Sequence, residues 1–124
     1  MKPYQYVVMR GVPRVEREEF VNIGVVLYCQ AEEFLDVGWH VEPTRLRALD
    51  PDVDIDAVCD AMDFVGAVCR GDDAAGSVST KDLGTRFGFI RAPRSTVVQP
   101  GPVHGGLTGD PGAELARLLT SLVR

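Results

Sequence analysis

The run Phe20–Tyr28, FVNIGVVLY, constrains the fold of this chain more than any other stretch. Val21, Ile23, Val25 and Leu27 alternate strictly with Phe20, Asn22, Gly24, Val26 and Tyr28, and Cys29 extends the first set. A period of two carried by β-branched residues specifies a strand, because successive side chains point to opposite faces. The strand is predicted over Phe20–Gln30. One of its faces is wholly apolar and must meet a core. The other carries an amide, a glycine and aromatic rings.

The neighbouring segments supply partners for that strand. Tyr4–Gly11 is predicted as the first strand, with Val7 and Met9 on one side and Tyr4, Tyr6, Val8 and Arg10 on the other. Pro13 ends pairing there, because it has no N–H to give. Arg14–Glu19 is a charged connection, read as a single helical turn. Ala31-Glu32-Glu33 is short enough for a hairpin loop, and Phe34–Val41 then forms a third strand. Consecutive strands with short connections make an antiparallel meander. RFGFIRA, Arg86–Ala92, is predicted as a fourth strand broken by Pro93, and Ser95–Gln99 continues the sheet or forms an edge.

Helical patterns fall between and after the strands. Pro43 and Thr44 open a short piece with Leu46 and Leu49 on its apolar side. Asp50-Pro51 has the form of a cap followed by proline at the first helical position. Ile55, Val58, Met62, Val65 and Cys69 follow at helical spacing, and Arg70-Gly71 marks the end. Asp110-Pro111 repeats the start signal, and Leu115, Leu118, Leu119 and Leu122 form one face of a closing helix. Two stretches lack such patterns. Gly71–Thr85 is polar and poor in large apolar residues, and is expected to be a mobile loop. Pro100–Gly109, PGPVHGGLTG, is expected to be a loop without regular structure around His104. The class is therefore α+β: an antiparallel sheet of four to five strands with helices packed mainly on one face.

Composition bounds the function. The 124 residues form one ordinary domain, residues 1–124, long enough to bury a core without a staple. A net charge of −5 argues against a dedicated nucleic-acid binder, which needs a basic footprint. Cys29, Cys59 and Cys69 are odd in number and lack CxxC spacing, so they are read as core thiols in a reducing compartment. There is no signal-peptide pattern and no apolar run long enough to span a membrane, so a cytoplasmic protein is expected. No phosphate-binding glycine loop, hydrolase elbow or metal-binding histidine pair occurs, and no metal or cofactor is predicted.

The polar residues that remain gather in few places. In a two-faced reading, Val7 and Met9 join Val21, Ile23, Val25, Leu27, Leu35, Val37 and Trp39 on a core face. The opposite face holds Tyr4, Tyr6, Tyr28 and Phe34, and also Arg10, Asn22, Asp36 and His40. That mixture suits neither open water nor a dry core. A ligand surface, a subunit interface or a packed helix each resolves the conflict, and cover by the closing helix or a second protomer is the plainest. Tyr4, Tyr6, Tyr28 and Phe34 are the interface candidates. Arg10, Arg14, Arg17, Arg91 and Arg94 offer forks for phosphate or carboxylate, although ion pairs with Glu16, Glu18 and Glu19 are the plainer reading. With Asn22, Ser95, Gln99 and His104 they are the ligand-binding candidates. For His104, a hydrogen bond that locks the loop is plainer than a catalytic role.

Two stretches resemble a known family. YQYVVMRGVPRVEREEFVNIGVVLYC and APRSTVVQPGPVHGGLTGDP are similar to the two signatures of the bacterial domain-of-unknown-function 3037 family. The matching residues are Arg10, Pro13, Glu16, Arg17, Glu19, Asn22, Gly24, Arg94, Ser95, Gln99, Pro100, His104 and Asp110. The resemblance implies a small stand-alone bacterial protein and brings no catalytic roles. Genes of that family often stand beside one for a HipA-like kinase, so it implies a kinase partner by association. The leading expectation is a non-enzymatic accessory or binding module, a homodimer working with a protein partner. The alternative is a small anion- or phosphate-ligand-binding enzyme using an Arg/Ser/His site. The first rests on the mixed aromatic-polar sheet face and the lack of a catalytic motif, the second on Arg10, Arg17, Arg91, Arg94, Ser95 and His104; the Arg14–Asn22 and Arg91–His104 segments are expected to converge at one end of the sheet. Arg94 and His104 in an acid-free pocket favour the second reading, and ties to Glu16, Glu19 or Asp110 favour the first.

Overall fold

Strand β1 (Lys2–Gly11) is the axis of the computed structural model, which describes residues 1–124. One edge of β1 pairs antiparallel with β2 (Val21–Cys29), which pairs in turn with β3 (Phe34–Trp39). The other edge is shared. β4 (Val98–Pro100) takes the Met9–Gly11 end and β5 (His104–Thr108) takes the Lys2–Tyr6 end. The result is a five-stranded antiparallel sheet. Four α-helices accompany it: α1 (Pro43–Leu49), α2 (Ile55–Arg70), α3 (Leu83–Arg91) and α4 (Pro111–Leu122). The chain is α+β, as its patterning implies.

Register decides which residues share a face, and it corrects the simple two-faced reading. Val7 lies opposite Val26 and Tyr6 opposite Leu27. Val7 and Met9 therefore face the same way as Val26, and Val25 and Leu27 face the other way. A bulge follows, where Met9 opposes Gly24 but Arg10 opposes Asn22. Ile23 is the extra residue, so Ile23 and Gly24 both turn toward α2. Ile23 joins the core that holds Met62 of α2, and a Cβ on Gly24 would come within 2.8 Å of Met62 Cε.

The sheet thus has a core on each face. On one, Val7, Met9, Ile23, Val26 and Leu35 pack under Leu46 of α1, Val58, Met62, Val65 and Val68 of α2, and Phe87 and Ile90 of α3. On the other, Tyr4, Val25, Leu27 and Cys29 pack under Leu115 and Leu118 of α4 and Val123 after it. Most helices lie on the first face, and α4 is the cover for the second. Tyr28 belongs to the α2 face, where its ring stacks on Phe87 with centroids 5.3 Å apart. Tyr4 and Phe34 belong to the α4 face. The candidate interface set is therefore split across the sheet, and Tyr4 and Phe34 serve intramolecular packing.

Local signals hold where a cap agrees with a buried stripe. The Asp110 carboxylate accepts from Ala113 N–H at 3.1 Å and Pro111 takes the first position of α4. Gly71, at φ 71°, ends α2 as anticipated. Its cap lies four residues beyond Asp50, at Asp54, which accepts from Ala57 N–H at 3.0 Å. Three segments differ more. Arg86–Ala92 is not a strand: it falls in α3, capped by Asp82 on Thr85 N–H at 2.7 Å. Leu83, Phe87 and Ile90 supply a helical stripe that the two glycines and the aromatics disguise. Pro100–Gly109 is not all loop: His104–Thr108 is β5. Its glycines leave space for Tyr4, whose hydroxyl would stand 2.7 Å from a Cβ on Gly106. Finally, Gly71–Thr85 is not structureless. Asp73–Thr80 forms 3-10 turns broken at Gly76, and Ala75 is buried in the α2 core.

Candidate functional site

The bulge that turns Ile23 toward α2 also sets Arg10. Arg10 lies across from Asn22 on one side and Gln99 on the other, on the α4 face. α4 packs chiefly on β2 and β3, so this end of β1 is left uncovered. After β1 the chain makes a one-turn 3-10 helix, Val15–Arg17, and Glu18 closes it in the left-handed conformation at φ 57°. That reversal returns Phe20 over Arg10, with Cζ 4.0 Å from the ring centroid. Just past β4, Gly101 lies close by, and a Cβ there would stand 3.2 Å from Arg10 Nε. Val12 N–H donates to the Val97 carbonyl at 2.7 Å and holds the two walls together.

Between those walls is a cleft of about 390 Å³. Val12, Val15 and Phe20 form its apolar side, and Arg10, Glu18, Ser95 and Gln99 its polar side. The Nε of Arg10 is buried and has no hydrogen-bond partner. A bare buried donor costs about 1–3 kcal/mol, more when charged. The arginines that form ion pairs are Arg14, Arg17, Arg70 and Arg117, not Arg10. The cleft therefore holds a cation with no ion-pair partner, although Glu18 stands in the same lining. Larger hollows flank Tyr28, about 610 and 590 Å³, but neither contains a cation. A fourth, between β3 and α2, contains Arg70, which is paired with Asp72 at 2.9 Å.

Of the residues singled out from the sequence, Arg10, Ser95 and Gln99 meet in this cleft. Val15, Glu18 and Phe20 come from the expected Arg14–Asn22 segment and Ser95 and Gln99 from Arg91–His104, whereas Arg10 and Val12 precede both. The other candidates are committed elsewhere. Arg14 pairs with Glu16 at 2.8 Å and Arg17 with Glu19 at 2.6 Å, both in exposed positions. The Glu16 backbone N–H first, then Arg14, hold the Glu16 carboxyl below its usual range, and Arg17 does the same for Glu19. Asn22 Nδ2 donates to the Leu122 carbonyl at 3.2 Å, and Arg45 donates to that of Val123 at 2.8 Å, so both anchor the end of α4. Arg94 donates to the carbonyls of Phe89 and Ala92 and closes the end of α3. Arg91 is exposed in the last turn of α3. His104 is exposed on β5 opposite Tyr6, their ring centroids 5.2 Å apart. Along β1 that is four residues, about 13 Å, from Arg10. Arg94 and His104 thus meet neither a pocket nor a carboxylate.

Phe20 and Glu18 complete the site, and sequence pattern alone assigns them otherwise. Phe20 reads as a strand residue and Glu18 as an ion-pair partner, whereas the left-handed turn at Glu18 places both at the cleft. No three His, Cys, Asp or Glu side chains stand together as metal ligands. Burial pushes the Cys69 thiol up to about 12, and Cys59 is raised by burial and by Asp56, Asp60 and Asp63, so neither is poised as a thiolate nucleophile. The strongest charge constellation lies under α4 instead. Tyr4 donates to Glu114, which also accepts from Arg117 at 2.7 and 2.8 Å. Burial first, then Glu114, raise Tyr4 to about 12, while Arg117 first, then Tyr4, lower Glu114 to about 2. All three are spent on each other, which makes this a structural lock.

The family model described as Protein of unknown function (DUF3037) matches residues 6–123 of the 124. The chain belongs to the DUF3037 family. The DUF3037 match includes both walls of the Arg10 cleft and the whole of α4. No curated protein and no solved structure matches the chain. No helix is long and apolar enough to cross a membrane.

Proposed function

We propose that this DUF3037 protein is a non-enzymatic binding module that takes an anionic group of a protein partner into the Arg10 cleft. The observation that supports the reading is the state of Arg10: fixed under Phe20, with its Nε buried and bare, and with no acid of the chain paired to it. An arginine held in this way is already desolvated and oriented, so an incoming anion costs little reorganisation. Recognition is favoured over catalysis because Ser95 has no histidine in the cleft to activate it, and His104 lies along β5. A HipA-like kinase is the first partner to try, on the family association alone.

The test combines a thermal-shift series with phosphate and carboxylate anions and co-purification with a HipA-like kinase. Arg10→Gln removes the charge but no hydrogen bond, so the variant is expected to fold. An anion at 100 times its Kd should stabilise the chain by about 2.7 kcal/mol, several degrees, and Arg10→Gln should abolish both the shift and the co-purification. No shift with any anion, together with equal kinase capture by chain and variant, overturns the reading.

A further inference from the structure

We infer that the group recognised in the Arg10 cleft is a carboxylate flanked by an amide N–H and a small apolar side chain, the chemistry shared by N-acylated amino acids and the last residue of a peptide chain. The inference rests on the binding-module reading and specifies its ligand. Charge is the first argument. Arg10 is the one cation of the cleft, and Glu18 stands in the same lining. A dianionic phosphate would meet one positive charge and one opposing acid. A planar monoanion matches a guanidinium fork and brings half the opposing charge of a dianion up to Glu18.

The second argument is orientation. Phe20 lies against Cζ at 4.0 Å, and the close approach of Gly101 and the burial of Nε cover the inner part of the group. What remains for a ligand is the Nη end, held in a set plane. The third is hydrogen-bond parity. Gln99 donates its side-chain N–H to the Thr96 carbonyl at 2.9 Å, which leaves its Oε1 as an acceptor in a lining that also holds the acceptor Glu18. A ligand that supplied only acceptors would add none of the donors that these two groups take, and an amide N–H beside the carboxylate supplies one. The fourth is the apolar side. Val15 and Phe20 are 38% and 43% exposed and line the cleft beside the buried Val12, which leaves apolar surface open to a ligand. At about 390 Å³ the cleft is near the small end of ligand sites, enough for one residue with its carboxylate.

The experiment is calorimetric titration of the whole chain with N-acetylvaline, N-acetylvalinamide, inorganic phosphate and a short peptide ending in free valine. N-acetylvaline should bind at least roughly tenfold more tightly than its amide, and Arg10→Gln should cost at least as much, since a hydrogen bond to a charged group is lost in each case. Glu18→Gln should let phosphate bind where the unaltered chain does not. A peptide tighter than N-acetylvaline assigns the site to the end of a partner's chain; equal affinities assign it to a free acyl amino acid; either supports the inference. An amide that binds as well as the acid overturns it. Phosphate bound more tightly than N-acetylvaline also overturns it, while leaving the anion-binding reading in place. No binding of either anion overturns both. The acid-to-amide comparison uses the unaltered chain, so it decides even if a variant fails to fold.

Discussion

Tyr4→Phe removes one oxygen from the lock under α4 and leaves the ring that fills the space above Gly106. The Glu114 carboxyl is lowered from 4.5 to about 2, which corresponds to about 3 kcal/mol of pH-linked stability in all. Arg117 is the larger cause, and it is 62% exposed, so water weakens its share. The Tyr4 share, for a hydrogen bond to a charged but peripheral acceptor, is about 1.5 kcal/mol. For a domain of this size that is about 4–8 °C in Tm at pH 7. The pH profile gives the sign. A depressed carboxyl stabilises the fold above its unfolded value and loses that contribution as pH falls from 4.5 toward about 2. A raised tyrosine stabilises below its unfolded value and loses that contribution as pH rises from 10 toward about 12. The stability difference between the chain and Tyr4→Phe, from urea melts across pH, should therefore be flat from about 5 to 9 and shrink on both sides. A difference unchanged at pH 2.5, or none at pH 7, would refute the charge-assisted bond.

Other perturbations test separate parts of the fold. Phe87→Ala empties a site that is 2% exposed and stacked on Tyr28, so urea unfolding should show a loss of about 3–5 kcal/mol; a loss under 1 would mean that α3 does not seal this core. Asp110→Ala removes the cap of α4 and should cost about 1 kcal/mol by the same assay, with no effect contradicting the assigned cap. Cys69, pushed up to about 12 by burial, should resist an aromatic disulfide reagent at pH 8 until the chain is unfolded; reaction in the native state at the rate of a free thiol would contradict its placement.

The sequence carried some elements because their signals are local and mutually consistent. β2 shows its period of two, and α4 pairs an aspartate cap and a proline start with a leucine stripe. α3 and β5 were hidden, because glycines normally weaken helix and strand alike. In α3 the burial of Phe87 and Ile90 outweighs that preference. In β5 the glycine at 106 is the condition for Tyr4 to pack. The two faces were misassigned because the phase between strands is a long-range property, set by pairing Val7 with Val26 and by the bulge at Ile23. The site followed the same rule. Its two polar segments were legible as segments, and Arg10, Ser95 and Gln99 were among their candidates. That Phe20 would cover Arg10 depends on Glu18 at φ 57°, and that His104 would lie apart depends on β5 pairing with β1.

The most direct test of the Arg10 cleft as the working site is to map the binding of an anion along the backbone. In a ¹⁵N amide titration with N-acetylvaline, the account predicts shifts confined to residues 10–20 and 95–101, the two walls of the cleft, with Arg10→Gln removing them. Shifts centred on His104–Thr108 or Asp82–Arg86, or no shifts at all, would contradict it.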